Sequence, residues 1–348
     1  MPVYIAFHAT GVAPICRHIA SQAPSLLKAI DDAQISSLQL VSQPTIVQHP
    51  TPVDPAIDAW HHVHEIAEDF VNLGATPNYR SLVTREGVAQ LVRGLNNLAV
   101  VLDSPAPVAP PPIQVAPAEP NVLVRWGSRW AGRADIEINT AVAVSDARNK
   151  KRSRQLLAGI CPETWFDSGA VRTPCVVRPK VHFGGNKLFV CNSPADLQTA
   201  IRRCGPGWYA SELIDKVREY RVFVLQGRVL SVSERFPGSS TDIAWNLHAG
   251  GRVAMVKRRD WPIDVVKTAI EAARRVGLDW TAVDLAVCRD GKVVVFETNT
   301  APGVTTERGV ERIAFAFSSL IESSTLPPLD LASISHWRDL LHPSLRND

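Results

Sequence analysis

Proline crowds one short stretch of this chain, and that stretch limits how the rest can fold. Seven of the 26 prolines fall within PAPVAPPPIQVAPAEP, residues 105–120. Proline has no amide hydrogen for a helix and favours a stiff, extended backbone. We therefore predict a linker at 105–120. The segment before it, 1–104, is predicted to be an α/β domain, with a strand at 3–7 and amphipathic helices at 64–73 and 85–98.

The sequence after the linker changes to short apolar segments bounded by turn residues, a pattern that predicts strands. These strands are expected at 174–178, 188–191, 221–225, 228–232, 282–288 and 292–297, with helices between them. The short turns 226–227 and 289–291 predict antiparallel hairpins. We therefore expect an α+β domain at 121–322 rather than a purely doubly wound fold. The remaining segment, 323–348, is predicted to be a tail with one short helix in LASISHWRDLL.

Composition excludes several classes of protein. The chain has 348 residues and is 45% hydrophobic, which suits packed domains rather than a disordered chain. Its formal net charge is only +3, which does not favour tight binding to nucleic acid. No apolar run approaches the ~18 residues of a membrane span, and none of the six cysteines forms a C-x-x-C pair. We therefore expect a reduced, cytoplasmic protein without a membrane span, whose oligomeric state is open.

Polar residues with oxygen donors lie on two predicted strands late in the chain. Asp284 lies in VDLAV, and Glu297 and Asn299 lie in FETNTAPGV. Because residues two apart in a strand share a face, Glu297 and Asn299 are predicted to point the same way. Two carboxylates and an amide oxygen form the oxygen-only site that Mg²⁺ on a polyphosphate requires. A surface hairpin with solvated acids explains this segment equally well on its own.

A pair of glycines lies between two other predicted strands. The segment VVRPKVHFGGNKLFV places Arg178, Lys180 and Lys187 around Gly184 and Gly185. Glycine lets backbone amide groups approach phosphate oxygens, and the cations would neutralise those oxygens. A plain turn with basic neighbours is the commoner explanation of such a pattern. Taken alone, the loop is therefore a weak prediction of a phosphate site.

A third segment, YASELIDKVREYRVFV, carries Glu212 and Glu219. Such a segment can present backbone groups to the edge of a base and a carboxylate to sugar hydroxyls. Solvated charges at the end of an element are the alternative. The basic run SDARNKKRS has a similar alternative, since most basic runs are solvated helix faces.

Taken in order, these segments resemble the ATP-grasp superfamily, in particular carboxylate–amine ligases such as D-alanine–D-alanine ligase, glutathione synthetase and the ribosomal-protein glutamate ligases. The strongest match is FETNTAPGVTT, which is similar to the Glu-x-Asn-x-x-Pro-Gly signature of that group. The resemblance covers about residues 121–320. It implies two α+β subdomains that grip ATP, preceded by the N-terminal α/β domain. It also implies that Mg²⁺ on the ATP phosphates is held by Asp284, Glu297 and Asn299.

The resemblance assigns further ATP contacts. Lys150 and Arg178 match the two basic positions that touch the α- and β-phosphates, with Arg178 standing where Lys is usual. Glu219 matches the acid that binds the ribose hydroxyls. The hinge that holds adenine matches three residues, Glu212, Leu213 and Ile214. Because these positions all lie beyond the linker, we expect the chain without residues 1–115 to fold and bind ATP.

Three residues are predicted to serve the reaction itself. The segment ERFPGSSTDIAWNLHAGGRV is similar to the part of the glutamate ligases in which an Arg and an Asn approach the acyl phosphate, and Arg235 and Asn246 fit these positions. Arg221, on a predicted strand, is grouped with them as catalytic. Arg308, shortly after the Pro-Gly turn, is a candidate to pair with a substrate carboxylate, although an exposed loop arginine explains it more simply.

The reaction that the resemblance implies is ATP- and Mg²⁺-dependent ligation of a carboxylate to an amine through an acyl phosphate, with release of ADP and phosphate. The partners are then small-molecule or peptide carboxylates and amines. Their identity is open, because Ala282 and Ala244 stand where the named relatives have arginine. Two alternatives are a non-catalytic ATP-binding module and a ligase that modifies a nucleotide or nucleic acid. The segment VLVRWGSR is more similar to ATP-grasp proteins of bacteriophages, so we also predict a phage origin.

Overall fold

The computed structural model describes residues 3–8, 12–31, 121–132, 134–179, 188–239, 243, 245, 250–304, 306–321 and 326–346. Its helices there are α1 (Ala13–Gln22), α2 (Ala141–Arg148), α3 (Lys150–Leu156), α4 (Pro194–Cys204), α5 (Ile263–Val276), α6 (Glu307–Ser318) and α7 (Trp337–Leu340). Its strands are β1 (Val3–Phe7), β2 (Leu27–Asp31), β3 (Val122–Trp126), β4 (Ile136–Ile138), β5 (Thr164–Trp165), β6 (Cys175–Pro179), β7 (Phe189–Cys191), β8 (Trp208–Glu212), β9 (Lys216–Leu225), β10 (Arg228–Phe236), β11 (Arg252–Met255), β12 (Trp280–Cys288) and β13 (Val293–Asn299). None of the helices in these stretches is long and apolar enough to cross a membrane.

Four parallel strands from two distant parts of the chain form the first sheet, in the order β2-β1-β3-β4. β1 lies between β2 and β3, so that Val3 is opposite both Leu27 and Val122. β1 is apolar and almost fully buried, as a central strand of a parallel sheet must be. Residues 3–31 and 121–138 therefore share one sheet, and the expectation that the chain beyond the linker folds alone does not agree with this arrangement.

The described elements all belong to one compact unit, made of residues 1–42 and 119–348. The helices predicted at 64–73 and 85–98 and the linker at 105–120 lie outside the described residues. The domain limits expected from the sequence therefore stay a prediction: 1–104, 105–120, 121–322 and 323–348.

The second sheet is small and antiparallel, in the order β5-β8-β6-β7. α4 packs on it, because Leu197 and Ala200 of the helix join a buried cluster with Val177 and Ala210 of the sheet. The helix begins after Ser193, whose side chain forms a capping box with the third helical residue. This sheet and its helix thus have a core of their own.

Five antiparallel strands form the third sheet, in the order β11-β10-β9-β12-β13. The β9–β10 and β12–β13 pairs are antiparallel hairpins, as their short turns predict. The strands predicted beyond the linker coincide with parts of β6, β7, β9, β10, β12 and β13. α5 packs on this sheet through the buried residues of its apolar face, which run from Val265 to Val276. The α+β architecture expected from the sequence is therefore confirmed.

A buried asparagine joins the parallel sheet to the large antiparallel sheet. Asn139 follows β4, and its Nδ2 donates to the carbonyl oxygens of Trp280 and Arg125 at 2.7 and 3.1 Å. Its Oδ1 accepts from the amide of Trp280 at 2.9 Å. The Trp280 ring centroid lies 4.9 Å from that of Trp126 and 5.2 Å from that of Phe317. The two sheets therefore share one apolar core.

The last described residues dock on the large sheet. α7 is a short helix, as LASISHWRDLL predicts, and Leu340 and Leu341 after it join the shared core. Leu341 forms a β-bridge with Val229 of β10. The amide of His342 donates to the carbonyl oxygen of Val229 at 3.0 Å, which fixes the imidazole in a buried position beside β10.

His342 is expected to make the fold less stable in mild acid. Burial, followed by the charges of Arg228 and Arg346, lowers the pKa of His342 from 6.5 to about 4. Between these values the unfolded chain binds a proton that the folded chain does not, so the free energy of unfolding falls by about 3 kcal/mol as the pH drops from 6.5 to 4. His342→Gln removes this contribution. Urea unfolding at about pH 7.5 and about pH 4.5 should show a smaller acid loss in the variant, and equal losses would contradict the prediction.

Candidate active site

The strands of the large sheet place charged side chains opposite one another. Asp284 on β12 lies opposite Glu297 on β13 and opposite Arg221 on β9. Glu219 on β9 lies opposite Arg235 on β10. Residues in such register, and residues two apart in one strand, share a face of the sheet. We call the group on this face the charged cluster: Glu219, Arg221, Arg235, Asp284, Glu297 and Asn299.

Asp284 is held by two guanidinium groups. Arg221 donates to its two carboxylate oxygens, from Nε at 2.7 Å and from Nη2 at 2.9 Å. Arg235 donates from Nη2 to the same oxygens at 3.1 and 3.2 Å. Burial alone would raise the pKa of Asp284, but the two arginines lower it below its ordinary value. The carboxylate is therefore ionised at neutral pH although the residue is only 7% exposed.

Glu219 is held by Arg235 and by a lysine that the sequence reasoning missed. Arg235 Nη1 donates to Oε1 of Glu219 at 2.9 Å, and Lys216 Nζ donates to Oε2. Lys216 also donates to the carbonyl oxygen of Ile243 at 2.7 Å, and its Nζ lies 5.4 Å from the ring centroid of Phe296. Burial lowers the pKa of Lys216 in spite of the opposing effect of Glu219. A lysine three residues before a glutamate is too common a pattern to mark a site.

Glu297 pairs with Lys150, the first residue of α3. Lys150 Nζ donates to Oε1 of Glu297. Burial would raise the pKa of Glu297, but Lys150 lowers it, and the net shift is downward. Arg154, further along α3, donates to the carbonyl oxygens of Val295 and Phe296 at 3.3 and 2.8 Å. α3 is thus fixed against β13, which brings Lys150 to the predicted metal ligands.

Asp284, Glu297 and Asn299 offer oxygen atoms on two neighbouring strands. Asn299 Nδ2 lies 3.5 Å from Oδ2 of Asp284, so the amide and the carboxylate are close. Hard oxygen donors of this kind fit Mg²⁺. The described residues contain no group of three His, Cys, Asp or Glu side chains that could hold a metal ion, and the set here has two carboxylates and an amide. Mg²⁺ would therefore need further oxygens, which a polyphosphate can supply.

Arg178 lies on β6 of the small sheet. Its side chain is half-buried, and its Nε has no hydrogen-bond partner in the part of the chain that the structure describes. Lys216 of the large sheet has its pKa lowered first by burial and also by the charge of Arg178. The guanidinium of one sheet and the ammonium of the other are thus close enough to interact, as expected for groups that bind one polyphosphate.

Glu212, Leu213 and Ile214 lie where β8 ends. The amide of Glu212 donates to the carbonyl oxygen of Glu163 at 2.9 Å, and Ile214 accepts from the amide of Lys216 at 3.0 Å. The three residues line a cavity of about 370 Å³. That they hold adenine stays a prediction.

The remaining predicted residues do not join the charged cluster in the described structure. Arg308 is exposed on the first turn of α6, beside Glu307, whose Oε1 lies 3.0 Å from Nε2 of His18 on α1. This turn of α6 thus contacts α1, and the role of Arg308 toward a substrate stays a prediction. The residues that lie outside the described stretches are Lys180, Gly184, Gly185, Lys187 and Asn246.

A close backbone contact meets the loop that follows Asn299. Gly127, directly after β3, has a φ of +72°, and a Cβ atom there would lie 2.7 Å from that of Ala301. Only glycine suits both this conformation and this space. The end of the parallel sheet therefore touches the loop after β13, and no local pattern in the sequence signals that contact.

Lys150→Ala is expected to weaken ATP binding by roughly 1.5–3 kcal/mol, because it removes a charge-assisted contact to phosphate. Lys151→Ala is the matched control, since Lys151 is exposed and its Nζ lies 6.0 Å from the ring centroid of Phe166. Titration calorimetry with ATP and Mg²⁺ measures both variants. Equal effects would mean that the basic run is only a solvated face.

Comparisons with known proteins agree with this geometry. Residues 160–316 match the model of a family described as an ATP-grasp domain. The probable alpha-L-glutamate ligase 2 of Hahella chejuensis is 28% identical over 194 residues, which cover 50% of this chain and 60% of that protein. The probable alpha-L-glutamate ligase of Vibrio atlanticus is 29% identical over 196 residues, which cover 50% of this chain and 62% of that protein. The match thus spans about three fifths of the length of these relatives.

Solved structures show the same fold. The ATP-grasp ligase PsnB, complexed with minimal precursor, Mg and ADP, superposes with a TM-score of 0.50 at 17% identity, over 91% of this chain and 97% of that chain. PsnB complexed with precursor peptide PsnA2 and AMPPNP also gives a TM-score of 0.50 at 17% identity, over 92% and 98% of the two chains. The fold of this chain is the ATP-grasp fold, so the predicted fold class is confirmed. More narrowly, the family match identifies residues 160–316 as an ATP-grasp domain.

Proposed function

We propose that this protein is an ATP- and Mg²⁺-dependent carboxylate–amine ligase that forms an amide or peptide bond and releases ADP and phosphate. The observation that carries the proposal is the set of Asp284, Glu297 and Asn299 on adjacent strands, with Lys150 and Arg221 paired to its carboxylates. The likeness of half the chain to proteins named glutamate ligases supports the same reaction class. A phage origin stays a prediction.

ATP would be bound by residues from both antiparallel sheets. Asp284, Glu297 and Asn299 would hold Mg²⁺, which supplies charge neutralisation on the polyphosphate. Glu219 is buried and ionisable, which suits it to accept hydrogen bonds from the ribose hydroxyls. The hinge residues that would hold adenine are Glu212, Leu213 and Ile214. The residues that would contact the phosphates are Lys150, Arg178, Lys180, Gly184, Gly185 and Lys187.

Two bond exchanges complete the reaction. A carboxylate oxygen of the acid substrate forms a bond to the γ-phosphorus of ATP while the bond to the bridging oxygen breaks, so that ADP leaves and an acyl phosphate remains. The amine nitrogen then bonds to the acyl carbon, phosphate leaves and the nitrogen loses a proton. Arg221, Arg235 and Asn246 would stabilise charge on the transferred group, which is the main task in such reactions.

The substrates belong to a class rather than to a named pair. The acid and the amine would be small molecules or peptides in the cytoplasm, and Arg308 would pair with a carboxylate of one of them. Ala282 and Ala244 leave out the arginines that mark the substrates of the named families. The specificity of this chain is therefore expected to differ from theirs.

Product analysis tests the proposal. ATP and Mg²⁺ are supplied with a panel of carboxylates, and hydroxylamine replaces the unknown amine. Because an acyl phosphate is a strong electrophile, the true acid should yield a hydroxamate, and ADP should form only in its presence. AMP among the products would indicate an adenylating enzyme instead. ADP formed with no dependence on any carboxylate, together with a phosphorylated hydroxyl acceptor, would indicate a kinase, and ATP binding without turnover would indicate a non-catalytic module.

A further inference from the structure

One guanidinium group in the charged cluster spans two carboxylates that have different predicted tasks. Arg235 donates from Nη1 to Glu219 at 2.9 Å and from Nη2 to both oxygens of Asp284 at 3.1 and 3.2 Å. The side chain of Arg235 is 11% exposed, so water competes little for these bonds. Because a guanidinium is planar and rigid, one orientation serves both bonds at once. The predicted ribose acid and the predicted metal acid are thus joined by a single side chain.

The neighbouring cations differ from Arg235 in this respect. Arg221 donates to Asp284, and Lys216 donates to Glu219. Among the described residues, Arg235 is the one cation with ion pairs to both carboxylates. A change that frees one end of Arg235 therefore weakens its hold on the other end, whereas a change at Arg221 acts on Asp284 alone.

The hydrogen bonds of Asp284 leave little capacity for a cation. A carboxylate has about four lone-pair sites, and each oxygen of Asp284 already accepts from both Arg221 and Arg235. A divalent cation at this carboxylate would have to displace a donor and would be repelled by the guanidinium groups that stay. Departure of Arg235 removes both obstacles in part. The oxygens of Glu219 are likewise occupied, by Arg235 and Lys216, so sugar hydroxyls must replace one of these cations.

We propose that Arg235 is a positioning residue that makes a nucleoside and a divalent cation bind this protein cooperatively, an inference that rests on the proposed ATP- and Mg²⁺-dependent function. Sugar hydroxyls on Glu219 release one end of the Arg235 guanidinium, which then turns away from Asp284 and leaves its oxygens to the cation. By thermodynamic reciprocity, the cation raises the affinity for the nucleoside by the same factor.

Adenosine is the probe that separates this coupling from ordinary chelation. It carries the ribose and the base but no phosphate, so it offers no phosphate oxygen to a metal ion. Mn²⁺ binding is measured by electron paramagnetic resonance with and without saturating adenosine. For the parent protein, adenosine is expected to raise the Mn²⁺ affinity about tenfold. Arg235→Gln should bind Mn²⁺ more tightly than the parent when adenosine is absent, and adenosine should then change the Mn²⁺ affinity by less than about twofold.

Arg221→Gln is the matched control. It removes a guanidinium from Asp284 but leaves the link between Arg235 and Glu219 in place. It should therefore tighten Mn²⁺ binding in the absence of adenosine, as Arg235→Gln does, yet keep the adenosine effect of the parent. A purely electrostatic role of Arg235 would make the two variants alike. Arg235→Lys provides the same test if Arg235→Gln does not fold, because a single ammonium group cannot reproduce both ends of the guanidinium fork.

The outcomes distinguish this inference from the proposed function. Binding of adenosine and Mn²⁺ to the parent without mutual effect would overturn the inference and leave the ligase proposal standing. So would an adenosine effect that persists in Arg235→Gln and Arg235→Lys. Failure of the parent to bind ATP with Mg²⁺ in calorimetry would instead overturn the proposed function on which the inference rests.

Discussion

Glu297→Gln is expected to reduce metal-dependent ATP turnover at least about 100-fold while leaving the fold intact. The substitution keeps the shape of the side chain and removes the charge that would face the cation. The Glu297 side chain is 41% exposed and that of its partner Lys150 is 21% exposed, so water can solvate both after the change. ADP release measures the loss of turnover, and the thermal unfolding midpoint checks the fold.

Asn299→Ala should act in the same direction, because it removes the third oxygen donor. Glu271→Gln is the control for loss of a glutamate charge, since Glu271 lies on α5 and pairs with Arg274 and Arg275 rather than with the charged cluster. This control should keep parental turnover. Parental turnover in Glu297→Gln or Asn299→Ala would instead contradict the metal assignment.

Ile5→Asp is expected to unfold the protein. Ile5 is fully buried at the centre of β1, opposite Ala29 on one side and Val124 on the other. A carboxylate there would lack both water and a described partner, which costs about 4 kcal/mol or more. Since a typical domain is stable by only about 5–15 kcal/mol, most of the folded population should be lost. Urea unfolding and the yield of soluble protein measure the effect.

Lys28→Asp is the control for this substitution, because Lys28 lies on the adjacent strand β2 but is exposed. Its effect should stay within about 0.5 kcal/mol. Removal of residues 1–31 should unfold the chain for the same reason as Ile5→Asp, since β3 would lose its neighbour β1. A truncated chain that folds and binds ATP would show that the segment beyond the predicted linker does stand alone.

The strands and hairpins beyond residue 173 could be predicted because their signals are local. Apolar runs bounded by glycine and polar residues mark the strands, and a turn as short as Gln226-Gly227 forces neighbouring strands to pair. The parallel pairing of β1 with β3 has no such signal. Val3 meets Val122 only after more than a hundred intervening residues, and any buried apolar strand could have taken that place.

The oxygen donors of the candidate site could be predicted, but not what holds them. Glu297 and Asn299 stand two apart in one strand, so their common face follows from strand geometry. Contact of Arg235 with both Glu219 and Asp284 depends on register across three strands, and β10 shifts its register between Val229 and Ser231. Such an irregularity changes which side chains meet without leaving a clear mark in the sequence. For that reason Arg235 was expected near the acyl phosphate and not as a link between carboxylates.

The contact between Gly127 and Ala301 limits how this chain can diversify. A methyl group at position 127 would come within 2.7 Å of the Ala301 side chain, and the φ of +72° would disfavour it even in empty space. Shrinking residue 301 to glycine would remove the collision but not the backbone strain, so a compensating pair does not open the position. A laboratory selection for new acceptors should therefore keep codon 127 fixed and randomise positions elsewhere around the loop.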